Sequence, residues 1–94
     1  MKSIMDTSKD ECYLCKTTRN IEEHHIFYGR GNRKISDKNG FVVFLCDEHH
    51  RGWGSVHSLP NEGLDLRVKE DCQAKYEMTH TRAEFMKLIG RNYL

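Results

Sequence analysis

Phe41-Val42-Val43-Phe44-Leu45-Cys46-Asp47-Glu48-His49-His50 joins a strand to a metal hook. Five consecutive apolar residues, β-branched and aromatic among them, predict a short strand buried on both faces. The run leads straight into Cys46-x2-His49, and an earlier hook, Cys12-x2-Cys15, lies upstream. Each hook sets two ligands one turn apart, the spacing at which both reach one tetrahedral zinc. The intervening stretch, Lys16 to Leu45, is long enough for a β-hairpin whose ends a Cys12, Cys15, Cys46 and His49 zinc site clamps together.

Ninety-four residues predict one domain. A chain of this size buries only roughly 60–65% of its unfolded surface, and a structural Zn2+ is a suitable staple for the small core. The composition, 37% hydrophobic with 15 basic and 14 acidic residues, describes a foldable polar chain with a net charge of +1. Overall charge therefore does not mark a nucleic-acid binder, and any basic surface must be local. No apolar run approaches the ~20 residues of a membrane span, and the first residues lack a signal-peptide pattern. A cytoplasmic location is expected, where reduced cysteines serve as metal ligands rather than disulfides. Cys72, outside both hooks, reads as a small buried apolar residue.

Residues 1–11 are polar and aperiodic and predict a flexible lead-in, with a single domain over 12–94. Ile21 to Tyr28 predicts a strand. Gly29 to Lys34 reads as a flexible basic loop, which Asp37-Lys38-Asn39-Gly40 closes through an Asn-Gly turn. After Cys46 the chain should enter a short helical segment interrupted by Gly52 and Gly54. Asn61 is a plausible cap for a helix from Glu62 to Thr79, with Leu64, Val68, Cys72 and Tyr76 on its inner face. Thr81-Arg82-Ala83-Glu84 fits a capping box for a last helix that stops at Gly90. The expected architecture is α+β: a zinc-bracketed core over 12–57 and a helical extension over 61–94.

The histidines exceed what the hooks need. His80 reads as a surface residue, leaving His24, His25, His50 and His57. Neighbouring strand residues point to opposite sides, so His24 and His25 suit divided labour. His50 turns away from the zinc that His49 binds, and His57 shares its face if the segment is helical. A second, catalytic divalent ion held by His24, His50 and His57 would keep positions open for water and a phosphate oxygen. Mg2+, Mn2+, Ni2+ and Zn2+ are all candidates. His25 would then act as general base, a task for which imidazole is suited near neutral pH.

Taken together, Cys12-x2-Cys15, Glu23-His24-His25-Ile26 and Leu45-Cys46-x2-His49-His50 resemble the HNH endonucleases, in the zinc-stabilised form common in phage genomes. The resemblance spans about residues 12 to 57. It implies a ββα-metal core and a DNA endonuclease, with His24 as metal ligand, His25 as general base and His50 as second ligand. A further ligand along the ensuing helix corresponds to His57, at a longer offset than the common pattern. His49 stands where a fourth zinc cysteine is more usual. The family's middle asparagine would fall at Phe41; Asn39 is the substitute assigned a catalytic role, and Asn32 a weaker one.

Arg30, Arg33 and Lys34 in the basic loop, with Arg19 and Arg51 near its ends, would contact phosphates without reading sequence. DNA is the expected partner, RNA remains an alternative, and a phage or host protein partner is compatible with so small a domain. Trp53, between two glycines, is expected to pack on the core, with stacking on a base as the alternative. The competing reading is a non-catalytic zinc-knuckle module, a degenerate HNH domain that binds nucleic acid or protein. It accounts for the two hooks and leaves the surplus histidines without a purpose.

Overall fold

In the computed structural model, which describes residues 3–94, the hooks meet because two strands pair antiparallel between them. Strand β1 (Ile21–His25) runs beside β2 (Val42–Cys46), with Ile21 opposite Cys46 and His25 opposite Val42. Among the described residues these two strands form one sheet, accompanied by four helices in an α+β arrangement. Helix α1 (Asn32–Asn39) connects the strands, and α2 (Asp47–Arg51) follows β2 directly and packs on both. Helices α3 (Gly63–Tyr76) and α4 (Arg82–Ile89) complete the body.

The first correction concerns the basic stretch. It is not a loop closed by a hairpin turn: Asn32–Asn39 is helical, bounded by Gly31 and Gly40 at φ 83° and 73°. Asn-Gly serves here as a helix terminus, because a left-handed glycine closes a helix as readily as it turns a hairpin. The helix is pinned by Ser36, whose hydroxyl donates to the Phe27 carbonyl at 2.6 Å and accepts from the Phe27 N–H at 3.0 Å. β1 consequently stops at His25 rather than Tyr28, and Ile26 and Phe27 turn into the core.

That core is aromatic. Phe27 contacts Phe41, Phe85 and Tyr93 with ring centroids 5.5–5.6 Å apart, and Phe41 meets Tyr76 edge-on. Val43, Leu45, Val56, Val68 and Cys72 fill the remainder. Residues 3–11, read as a flexible lead-in, lie along β2: Ile4 N–H donates to the Gly40 carbonyl, Thr7 Oγ1 accepts from Phe44 N–H, and Met5 is buried. Residues 1 and 2 lie outside the described residues.

α3 starts one residue later and ends three earlier than expected, and Asn61 does not cap it. Asn61 is left-handed at φ 62°, its N–H donating to Asp65 and its side-chain oxygen accepting from Lys69. Val68, Cys72 and Tyr76 are buried as expected, with Leu64 partly so. A polar stripe one position along, Asp65, Lys69 and Gln73, is buried as well. Gln73 holds the final residues through Asn92 and the Tyr93 N–H. The Thr81–Glu84 capping box and the Gly90 terminus of α4 are present. Trp53 corrects another expectation: it is fully exposed and packs on nothing. Among the described residues no helix is long and apolar enough to cross a membrane.

Candidate metal centres

Two groups of ligand atoms form at opposite faces of the α2 start. His49 and His50 are successive on a helix, so their side chains diverge by about 100° and serve different centres. In the first, the ligand atoms of Cys12, Cys15, Cys46 and His49 lie within 4.8 Å of one another. Cys15 and Cys46 sulfurs are 3.9 Å apart, and His49 Nδ1 sits 3.3 Å from Cys46 and 3.6 Å from Cys12. A tetrahedral zinc with bonds of 2.3 Å to sulfur and about 2.0 Å to nitrogen requires edges of about 3.5–3.8 Å. The cluster fits a metal such as zinc.

Its protonation chemistry agrees. Burial pushes the Cys12 thiol up, but N–H donors from Cys46 and Cys15, with His49, outweigh it and hold the pKa at about 6. Cys46 is raised to about 11, by burial first and by the neighbouring sulfurs. Closely spaced sulfurs cannot all become thiolates without a cation among them. Cys72 lies apart from the cluster, fully buried in the core as the sequence suggests.

The second group is His24, His50 and His57, again with ligand atoms within 4.8 Å. His50 and His57 bring their Nε2 atoms to 3.1 Å, and the His24 ring lies 5.1 Å from both rings. The expected pairing of His50 with His57 is realised by a different route. α2 ends at Arg51, and the chain doubles back through Ser55 N–H to the Gly52 carbonyl and Val56 N–H to the His49 carbonyl. His24 is almost wholly buried, its Nε2 has no hydrogen-bond partner among the described residues, and burial followed by His50 and His57 lowers its pKa to about 3. His57 is lowered in the same sense, by burial first and His50 next. Three imidazoles with ligand atoms brought this close are a suitable donor set for a cation.

Glu22 was not foreseen. Its Oε1 accepts from His50 Nδ1 at 2.7 Å, which fixes the tautomer and leaves His50 Nε2 free as a ligand. That bond is the main reason the Glu22 carboxyl titrates below its ordinary range. Glu22 stands two residues before His24, on the same face of the strand, but its partner is set by where α2 comes to rest. Arg51 donates to the same Oε1 at 3.2 Å, so it is tethered at the site rather than free.

His25 points to the other side of β1 and meets Asp37 of α1, Nε2 to Oδ1 at 3.3 Å. Asn39 is elsewhere: its side chain donates to the Ile35 carbonyl and does not reach His25. Phe41 belongs to the core, and Asn32 opens α1. A cavity of about 310 Å³ gathers Glu23, His24, His25, Arg33, Arg51 and His57 on its walls. Arg33 and Lys34 also flank His25 and Asp37 in the adjoining depression, whereas Arg30 is exposed beside it. Behind the triad, Tyr28 packs on His57 at 4.7 Å between ring centroids and donates to the Val56 carbonyl. Lys69 lies over the Tyr28 ring and pairs with Asp65 at 2.8 Å, both side chains buried.

Comparison with protein-family models, curated proteins and solved structures found nothing that matches this chain.

Proposed function

We propose that the chain is a metal-dependent endonuclease of the HNH type, hydrolysing phosphodiester bonds in DNA with one catalytic divalent cation. The observation that carries this reading is His24: a buried imidazole with an orphaned Nε2, beside two more histidines and backed by a carboxylate–histidine pair. A buried polar atom left unpaired costs about 1–3 kcal/mol, which a cation at the site would offset. Two antiparallel strands joined through α1, with the short α2 following β2 and packed on both strands, support a ββα-metal core.

His24, His50 and His57 would hold the divalent cation, which would supply charge stabilisation for the phosphate and its leaving oxygen. His25 Nε2 donates to Asp37, so Nδ1 is its basic nitrogen and takes the proton of the attacking water. Asp37 thereby orients the base, the role sought for Asn39. Attack on phosphorus breaks the bond to the leaving sugar oxygen, which gains a proton from solvent. Arg33 and Arg51, on the walls of the cavity, position the phosphate. Cys12, Cys15, Cys46 and His49 would hold a structural zinc that ties the chain before β1 to the junction of β2 and α2.

The test is nicking of supercoiled plasmid and of a single-stranded circular DNA by zinc-loaded wild-type and His25→Ala protein with magnesium, manganese or nickel. Ion-dependent nicking that disappears in the variant, with zinc content unchanged, is expected. Retained nicking removes His25 as base. The second reading, a non-catalytic zinc module binding nucleic acid or protein, is favoured by the distance of Asn39 from His25. Absence of cleavage with every ion, from folded zinc-loaded protein, would establish it over the first.

A further inference from the structure

We infer that Trp53 is a stacking platform for an unpaired base, and that the site takes nucleic acid with an unstacked base beside the scissile phosphate. The inference rests on the nuclease reading for the word scissile, and on independent observations for the platform.

Trp53 is the only tryptophan in the chain, and its side chain is fully exposed. An indole offered wholly to water gains nothing for the fold, since its large apolar faces bury no area. The backbone that presents it is nonetheless anchored at both ends. Gly52 N–H donates to the Glu48 carbonyl at 2.8 Å, and a Cβ at Gly52 would stand 2.6 Å from that oxygen. Gly54 is left-handed at φ 66°, and the following Ser55 and Val56 are completely buried. The ring is thus held out from a fixed loop rather than carried on a loose one.

Its location gives the occupant. Trp53 lies between His50 and His57, two residues after Arg51, which lines the cavity of the histidine triad. Three residues span at most about 11 Å between Cα atoms, so the Trp53 backbone stays within that reach of His50, on the loop that joins two of the triad residues. Arg33 and the Glu22-paired Arg51 line this cavity, and Lys34 lines the adjoining depression. A lone exposed aromatic ring on the loop that follows Arg51 suits single-stranded nucleic acid, where base faces stack and phosphates pair with cations. A protein-binding patch would instead present contiguous apolar surface. Bases inside a duplex have both faces covered already, so the ring selects single-stranded, gapped or branched substrates.

Zinc-loaded full-length protein, with no other divalent ion added, is titrated with a short thymidine oligonucleotide and with an abasic oligonucleotide of equal length and charge. Tryptophan fluorescence reports Trp53 alone. Quenching by the first and not the second is expected. Trp53→Ala should weaken binding of the thymidine strand by about 5- to 150-fold, the range for losing a base-stacking aromatic, and Trp53→Phe should restore most of it. Hydrolysis of bis(p-nitrophenyl) phosphate, which has no base, is read in parallel with manganese added and should be the same for Trp53→Ala as for wild type. Equal binding of both strands without quenching overturns the platform even if the small diester is hydrolysed. Quenching without hydrolysis by any ion sinks the nuclease reading and keeps the platform. Loss of a dimer on Trp53→Ala, with oligonucleotide binding unchanged, assigns the ring to contact between copies and overturns the inference.

Discussion

Replacing Glu22 by alanine should weaken the divalent ion proposed for His24, His50 and His57 while leaving metal binding at Cys12, Cys15, Cys46 and His49 unchanged. His50 donates from Nδ1 to Glu22 Oε1 at 2.7 Å, a short charge-assisted bond that orients the imidazole and raises the basicity of Nε2. Loss of such an outer partner lowers metal affinity by about 10- to 100-fold. The Glu22 side chain is 37% exposed, so water can replace part of the lost acceptor. The expected loss lies at the lower end, about tenfold, equivalent to about 1.4 kcal/mol. Glu22→Gln keeps an acceptor without the charge and should lose about threefold, since neutral hydrogen bonds are roughly half as strong. Arg51 shares the same Oε1, and Arg51→Ala, which frees the carboxylate for His50, should not weaken the ion. Competition against a chromophoric chelator measures these affinities, with zinc content and circular dichroism reporting the fold. The reasoning is refuted if Glu22→Ala binds the ion as tightly as wild type while His50→Ala loses it.

Cys46→Ser should abolish zinc binding and cooperative folding together, because Cys46 lies within 3.9 Å of Cys15 and 3.3 Å of His49. A folded, zinc-free variant in metal analysis and circular dichroism would refute it. Lys69→Met leaves Asp65, 0% exposed, without its buried partner and should cost about 3–5 kcal/mol in urea unfolding. Asp65→Leu combined with Lys69→Met should recover most of that loss, and a double variant no more stable than the single one would show that charge isolation is not the cause. Gly52→Ala places a Cβ 2.6 Å from the Glu48 carbonyl and should cost about 1–3 kcal/mol while weakening the ion through His57. Unchanged stability and ion affinity would show that the α2 terminus yields freely.

The metal hooks were readable because ligand identity and a two-residue gap are properties of contiguous chain. β2 was readable for the same reason: five apolar residues admit few other conformations. The Thr81–Glu84 capping box is likewise complete within one turn. Reading failed where one local signal serves two structures. Asn39-Gly40 is a turn signal and a helix terminus, and only Ser36 clamping Phe27 selects the helix. Asn61 has the chemistry of a cap, yet its left-handed backbone and its bonds to Asp65 and Lys69 place it otherwise. Periodicity along α3 identified Val68, Cys72 and Tyr76 but passed over the buried Asp65–Lys69 pair, since charge reads as exposure until a partner is known.

By itself the sequence indicated the Cys12, Cys15, Cys46 and His49 cluster that could hold a metal, the division of His24 from His25 across a strand, and the surplus of histidines. These follow from residue chemistry and from the alternation or spacing of near neighbours. Tertiary structure alone decided that Asp37 rather than Asn39 meets His25, that Glu22 backs His50, and that a folded-back loop rather than a helix delivers His57. It also decided that Trp53 faces solvent. Each of these depends on where separate elements come to rest. A side chain's partner is set by distances between segments, and no pattern within a segment encodes them.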